Sequence, residues 1–146
     1  MDNMVLKIKK LYKDAIIPKY QTEGSVGFDF HAISDIQIEP TAYGMTGTGL
    51  SVEVPKGTCM LIFQRSGISK KYSNYIGTSV GVIDEDYRGE IMMPLINHNK
   101  FEHLTIKKGN RIAQGVVIPI SKCEIIEMEE LSETERGQNG FGSTGK

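Results

Sequence analysis

The sequence predicts an all-β fold: one domain, a β-sandwich or distorted barrel with a single short helix. Three observations carry this. Short apolar runs with strand periodicity recur along most of the chain, turn residues punctuate them, and only residues 66–75 carry a helical pattern. Many short strands with almost no helix bury their apolar faces by packing sheet on sheet or by closing a barrel. A length of 146 residues suits one domain, able to bury roughly 68–70% of the surface its unfolded chain exposes.

The elements follow in order. Residues 35–39 and 50–54 alternate apolar and polar side chains, the period of a half-buried strand. Residues 58–63 and 91–96 are denser apolar runs, suited to strands covered on both faces. Residues 104–107, 111–118 and 124–128 add three further strands. Pro40, Pro55-Lys56-Gly57, Asn97-His98-Asn99 and Lys107-Lys108-Gly109-Asn110 supply turn chemistry between them. Residues 132–146 hold one large apolar side chain, Phe141, among charges, glycines and hydroxyls, too little to form a core. The β domain is therefore expected over residues 1–131, with 132–146 as a mobile glycine-rich C-terminal tail.

Composition removes several classes of function. Seventeen Lys and Arg against 18 Asp and Glu give a net charge of −1, far from the basic balance of a nucleic-acid clamp. No apolar run approaches the ~20 residues of a membrane helix, and the N-terminal MDNMVLKIKK has no signal-peptide h-region. Cys59 and Cys123 form no framework and read as free thiols of a reducing compartment; the expected location is the cytoplasm, or a host cell's cytoplasm if the chain is viral. His31, His98 and His103 lack metal-ligand spacing, so no structural zinc site is expected. Glycine stands out: 16 residues, about 11% against an average near 7%.

Eleven of those 16 glycines fall in five segments. In Gly24-Ser25-Val26-Gly27-Phe28-Asp29-Phe30, Asp29 either faces water at a strand start or holds the water ligands of a metal. In Arg65-Ser66-Gly67-Ile68-Ser69, Ser66 caps the short helix. Its first amides and the Arg65 guanidinium could bind an anion, or Arg65 is simply solvated. In Gly77–Ile91, a strand at Val80–Ile83 meets a second at Glu90–Met92 and reads as a hairpin, its mouth carrying Asp84, Glu85, Asp86 and Tyr87. A base could lie in that hairpin, read by strand amides and carbonyls, with Tyr87 stacked on a sugar and an acid poising a water. Gly109-Asn110-Arg111-Ile112-Ala113-Gln114 is a turn leading into a buried strand. The fifth segment, Arg136 to Gly145, is a frayed terminus or a lid closing over a nucleotide. Its glycines would let amides approach phosphates; its GxxGxG spacing is not a Walker loop, because no GK[ST] is completed and no strand precedes it.

In this order and at these spacings, the five segments resemble the motifs of the all-β, homotrimeric deoxyuridine triphosphatase (dUTPase) family, most specifically in GVIDEDYRGEI and RGQNGFGSTG. The resemblance runs from about Gly24 to Gly145 and implies a jelly-roll-like distorted barrel. It implies Mg²⁺-dependent hydrolysis of dUTP to dUMP and pyrophosphate by attack of water on the α-phosphate, limiting uracil incorporation into DNA and supplying dUMP for thymidylate synthesis. Asp84 would orient and activate the water. Tyr87 would pack on the deoxyribose, and backbone at Gly81, Val82, Ile83 and Met92 would read the uracil edge. Arg65, Ser66, Gly67 and Gln114 would hold phosphate oxygens. Arg136, Gly142, Ser143 and Thr144 would close the tail on the γ-phosphate end, with Phe141 over the uracil. Asp29 would touch Mg²⁺ only through water. Each site would borrow segments from three subunits, so that Arg136 works in trans.

Departures from the family pattern (Gln64 for Pro, Ser69 for a small apolar residue, Asn110 for Asp, Val26 for Ala) remove no group with a proposed chemical role. The related dCTP deaminases need a glutamate base where this chain has Pro94, and a zinc deaminase needs an H-x-E…P-C-x-x-C signature that is missing here. Against a nucleotide sensor or protein-binding module without turnover, the completeness of the motifs argues that catalysis is retained, while a second, signalling role stays open; a structural β-sandwich leaves the ordered motif set unexplained.

Overall fold

The structure is a computed structural model and describes residues 4–65 and 80–140. Among these it contains nine strands: β1 (Lys7–Lys10), β2 (Phe28–His31), β3 (Ile36–Ile38), β4 (Tyr43–Glu53), β5 (Thr58–Gln64), β6 (Gly81–Ile83), β7 (Glu90–Ile96), β8 (Leu104–Ile106) and β9 (Arg111–Pro119). All pair antiparallel. They form a three-stranded sheet β1-β4-β7, a four-stranded sheet β2-β9-β5-β6 and a ribbon β3-β8. The predicted helix over 66–75 lies outside the described residues.

The inner faces of all three sheets meet in one apolar cluster. Phe28, Phe30, Met60, Ile62 and Ile112 come from the four-stranded sheet, Leu50, Val52, Ile91, Met93 and Leu95 from the three-stranded one, and Ile38, Leu104 and Ile106 from the ribbon. Alternation decides which side chains enter: Ile91, Met93 and Leu95 are buried, whereas Met92 and Ile96 on the opposite face are exposed. Asn97, fully buried, joins the ribbon to the turn after β7: its amide donates to the carbonyls of Ile38, Glu39 and Glu102, and its Oδ1 accepts from the Asn99 amide.

Three expectations change. Residues 124–128 form no strand: Ile125 is 96% exposed and no ladder among the described residues reaches them, because a strand needs a neighbour as well as a β-prone composition. The hairpin expected across residues 84–89 is a crossover. β6 pairs with β5 and β7 with β4, so these two strands belong to different sheets; a loop of this length exceeds the two to five residues of most hairpins. The strand expected at 50–54 is the second half of the longer β4, whose first half is masked in the sequence by Gly44, Gly47 and Gly49.

Candidate functional site

Two groups of candidate residues lie at opposite ends of β5. At its C-terminal end, register brings β2, β9 and β5 together: Asp29 lies opposite Gln114, which lies opposite Phe63. Asp29 is not the water-facing acid of the blander reading; it is buried. Arg65 Nε donates to its Oδ1 at 2.7 Å and Arg111 Nη1 to its Oδ2 at 3.2 Å. Both guanidiniums are thereby anchored while their remaining N–H groups stay available to an anion. Gln114 completes the group, its Nε2 donating to the Gln64 carbonyl at 3.4 Å. Gly27 makes room for it, since a Cβ there would stand 2.9 Å from Gln114 Oε1.

A slip in register after Phe30 sets His31 opposite Arg111. Burial holds the imidazole below its ordinary pKa, and Arg111, Arg65 and Lys19 add to this against the opposing pull of Asp29. Its Nδ1 is buried without a hydrogen-bond partner among the described residues. This end of the sheet is therefore a cationic patch with one compensating carboxylate. Arg111 is the participant that sequence reasoning did not assign; its signal was the GNRIAQ turn, which puts an Arg at the first, exposed position of a buried strand.

At the other end of β5, the crossover 84–89 is held by three of its side chains, Glu85, Tyr87 and Arg88. The Tyr87 amide closes a turn onto the Asp84 carbonyl at 3.2 Å. Glu85 Oε2 accepts from the Gly57 amide at 2.9 Å, and Arg88 Nη1 folds back onto the carbonyls of Glu85 and Tyr87. Tyr87 Oη donates to the Glu90 carbonyl at 3.0 Å. The exposed Asp84 carboxylate has no bonded partner among the described residues. Next to it β6 is the outermost described strand of its sheet, so alternate amides and carbonyls of Gly81, Val82 and Ile83 point away from β5. A cleft beside the loop is lined by Thr58, Cys59, Asp84, Glu85, Asp86 and Lys122. Met92, assigned to the same base-reading group, is exposed on β7 in the other sheet.

The structure thus gathers Asp29, Arg65 and Gln114 in one place, and Asp84, Tyr87 and Gly81–Ile83 in another. Ile83 pairs with Met60, so Asp84 stands beside Cys59, six residues before Arg65. At ~3.3 Å per residue the two groups are about 20 Å apart within one chain. Arg136 joins neither: its Nε donates to the Asn139 carbonyl, and no described hydrogen bond or ion pair ties residues 132–140 to a strand. Ser66, Gly67, Phe141, Gly142, Ser143 and Thr144 lie outside the described residues. Among the described residues no three His, Cys, Asp or Glu side chains converge to cage a metal, and no helix is long and apolar enough to cross a membrane.

Comparison with known proteins covers the whole arrangement. A family model described as dUTPase matches residues 13–145. The deoxyuridine 5'-triphosphate nucleotidohydrolase of Nautilia profundicola is 52% identical over 143 residues, covering 98% of this chain and 100% of the relative. That of Helicobacter pylori strain Shi470 is 44% identical, covering 97% of each. Among solved structures, the Staphylococcus bacteriophage 80alpha dUTPase with dUPNHPP superposes with a TM-score of 0.88 at 29% identity, over 97% of this chain and 99% of that one.

Proposed function

The chain belongs to the dUTPase family, and from that premise we infer that it hydrolyses dUTP to dUMP and pyrophosphate by attack of water on the α-phosphate. The observation that carries the reading is the state of the crossover loop. Glu85, Tyr87 and Arg88 are engaged in holding it; of the two exposed carboxylates without a bonded partner among the described residues, Asp84 and Asp86, Asp84 is the one that directly follows the outermost described strand β6. A fixed, unpaired carboxylate beside an edge strand can accept a proton from a water held against a nucleotide bound there. Outward amides and carbonyls of Gly81–Ile83 suit the edge of a pyrimidine base, and the Tyr87 ring suits the face of a deoxyribose.

The patch of Arg65, Arg111 and Gln114 suits phosphate oxygens, joined by Ser66 and Gly67. Because this patch and Asp84 are about 20 Å apart along one strand, a single substrate is better served when the two come from different subunits. That supports the homotrimer with shared sites. Arg136, Phe141, Gly142, Ser143 and Thr144 of a third chain would close over the substrate, the arginine acting in trans as in other phosphoryl-transfer enzymes.

Mg²⁺ fits as a partner of the triphosphate rather than as a caged ion. Both oxygens of Asp29 already accept from arginine, which leaves lone pairs for metal-bound water but suits direct ligation poorly. When bound, the ion supplies charge neutralisation on the phosphates. The chain's own residues orient the substrate, exclude bulk water and take the proton.

The test is a panel of dUTP, dTTP, dCTP and UTP hydrolysis in Mg²⁺ with the products identified. dUTP should be the preferred substrate, yielding dUMP and pyrophosphate; dUDP with inorganic phosphate as products would overturn the α-phosphate assignment.

A further inference from the structure

Midway along β4 the ladder with β7 slips. Gly47 lies opposite Met92 but Ser51 lies opposite Glu90, so four steps along β4 match two along β7. The surplus forms a bulge, and Gly49 at its apex has φ +69°, with Ile33 and Ala15 packed where a Cβ would project. The bulge is held from behind, where the amides of Leu11 and Ile33 donate to the carbonyls of Gly49 and Gly47.

From its front, three bonds reach the exit of the 84–89 loop. Ser51 Oγ donates to the Arg88 carbonyl at 2.6 Å, the Gly49 amide to Glu90 Oε1 at 2.8 Å, and Thr48 Oγ1 to the Ile91 carbonyl at 2.9 Å. Glu90 therefore has two attachments. Its side chain, lying over Gly47 where a Cβ would overlap the carboxylate, takes the place of a missing ladder partner for Gly49. Its backbone carbonyl receives the Tyr87 hydroxyl. The Tyr87 ring in turn rests against Gly89, where any Cβ would overlap it.

Glutamate is a poor strand former, and the exchange it makes here is one that packing alone does not demand. We propose that Glu90 is a positioning residue, clamping the loop exit to the β4 bulge so that its carbonyl holds the Tyr87 ring at the depth that admits deoxyribose and rejects ribose. This rests on the reading of Tyr87 as the residue that packs on the sugar. The requirement at Gly49 is for an acceptor oxygen rather than a charge, so glutamine serves and alanine does not. Gly47 has no positive φ, so alanine there fits the backbone and acts by displacing the carboxylate.

The experiment compares wild type, Glu90→Gln, Glu90→Ala and Gly47→Ala. It measures kcat and KM for dUTP and UTP, and calorimetric binding of dUMP and UMP as a readout independent of turnover. Glu90→Ala and Gly47→Ala should each lower the dUTP-to-UTP ratio of kcat/KM by about tenfold, the scale of one lost hydrogen bond. The loss should appear mainly as a higher KM for dUTP, and Glu90→Gln should keep the wild-type ratio. A parallel fall for both substrates with the ratio unchanged would overturn the proposal, as would Glu90→Gln being as impaired as Glu90→Ala. Wild-type protein that fails to hydrolyse dUTP would instead overturn the functional reading beneath it. Wild-type activity with an unchanged ratio in Glu90→Ala and Gly47→Ala overturns the positioning role alone.

Discussion

Arg65 and Asp29, thirty-six positions apart, form a 2.7 Å ion pair in which the carboxylate side chain is 9% exposed and the guanidinium 22%. Arg111 reaches the other oxygen of the same carboxylate. Asp29→Asn should therefore loosen two arginines at once. Removing the charge-assisted partner of a mostly buried Arg should cost about 1–3 kcal/mol in urea unfolding, with the exposed Arg111 contributing the smaller share. KM for dUTP should rise more than kcat falls. Unchanged stability and KM would mean that the arginines hold their positions without Asp29.

Asp84 differs from Asp29 in having no bonded partner to lose among the described residues. Asp84→Asn should reduce kcat by ~10²–10⁴, the usual worth of a general base, while leaving Tm and calorimetric binding of a non-hydrolysable dUTP analogue near wild type. A variant with full turnover would remove Asp84 from the water-activating role.

Site sharing can be read by complementation. Asp84→Asn chains and Arg136→Ala chains should each be inactive, the second by ~10³–10⁵ if Arg136 acts as a trans arginine. Trimers reassembled from a mixture should contain sites with Asp84 from one parent and Arg136 from the other, and so exceed both. Mixtures no more active than their parents would contradict shared sites.

Acid should destabilise the fold in two stages of the same sign. His31 is held below its ordinary value of 6.5 chiefly by burial, so below that pH the unfolded chain binds a proton that the folded chain resists. Stability is then full above about 6.5 and declines as pH falls. Hydrogen bonds from Lys108, Lys107 and Lys7 hold Asp14, Asp35 and Glu53 below their ordinary 3.8, 3.8 and 4.5. Their contribution is present above those values and is lost as pH falls below them, through the lowered values of the folded state. Tm measured across this range should show both declines. His31→Asn should remove the first, and salt should weaken the second, because these three pairs are exposed. A Tm that stays level below pH 6.5 until the carboxylates titrate would contradict the burial of His31.

Much of the fold was legible because alternation is a local signal. Residues 58–63, 91–96 and 111–118 carry enough consecutive β-branched and apolar side chains to be strands in any packing, and they became β5, β7 and β9. Two elements were hidden by residues that serve tertiary needs. Gly44, Gly47 and Gly49 interrupt the pattern of β4 because Ile38, Glu90 and Ile33 occupy the space of their missing side chains. β2 was obscured by Asp29, an acid in a strand buried on both sides, intelligible only once two arginines face it.

The glycine-marked segments, Asp84 at the head of its loop, and the family to which they point were determined by the sequence alone, since each is a contiguous run whose chemistry needs no distant partner to be recognised. Tertiary structure decided what joins them. It placed β6 and β7 in different sheets, sent residues 124–128 out of the ladder, paired Arg65 and Arg111 on one carboxylate, and set Glu90 against the bulge of β4. These relationships depend on register between strands far apart in the chain, and a shift of one residue in that register would turn every one of these side chains to the opposite face.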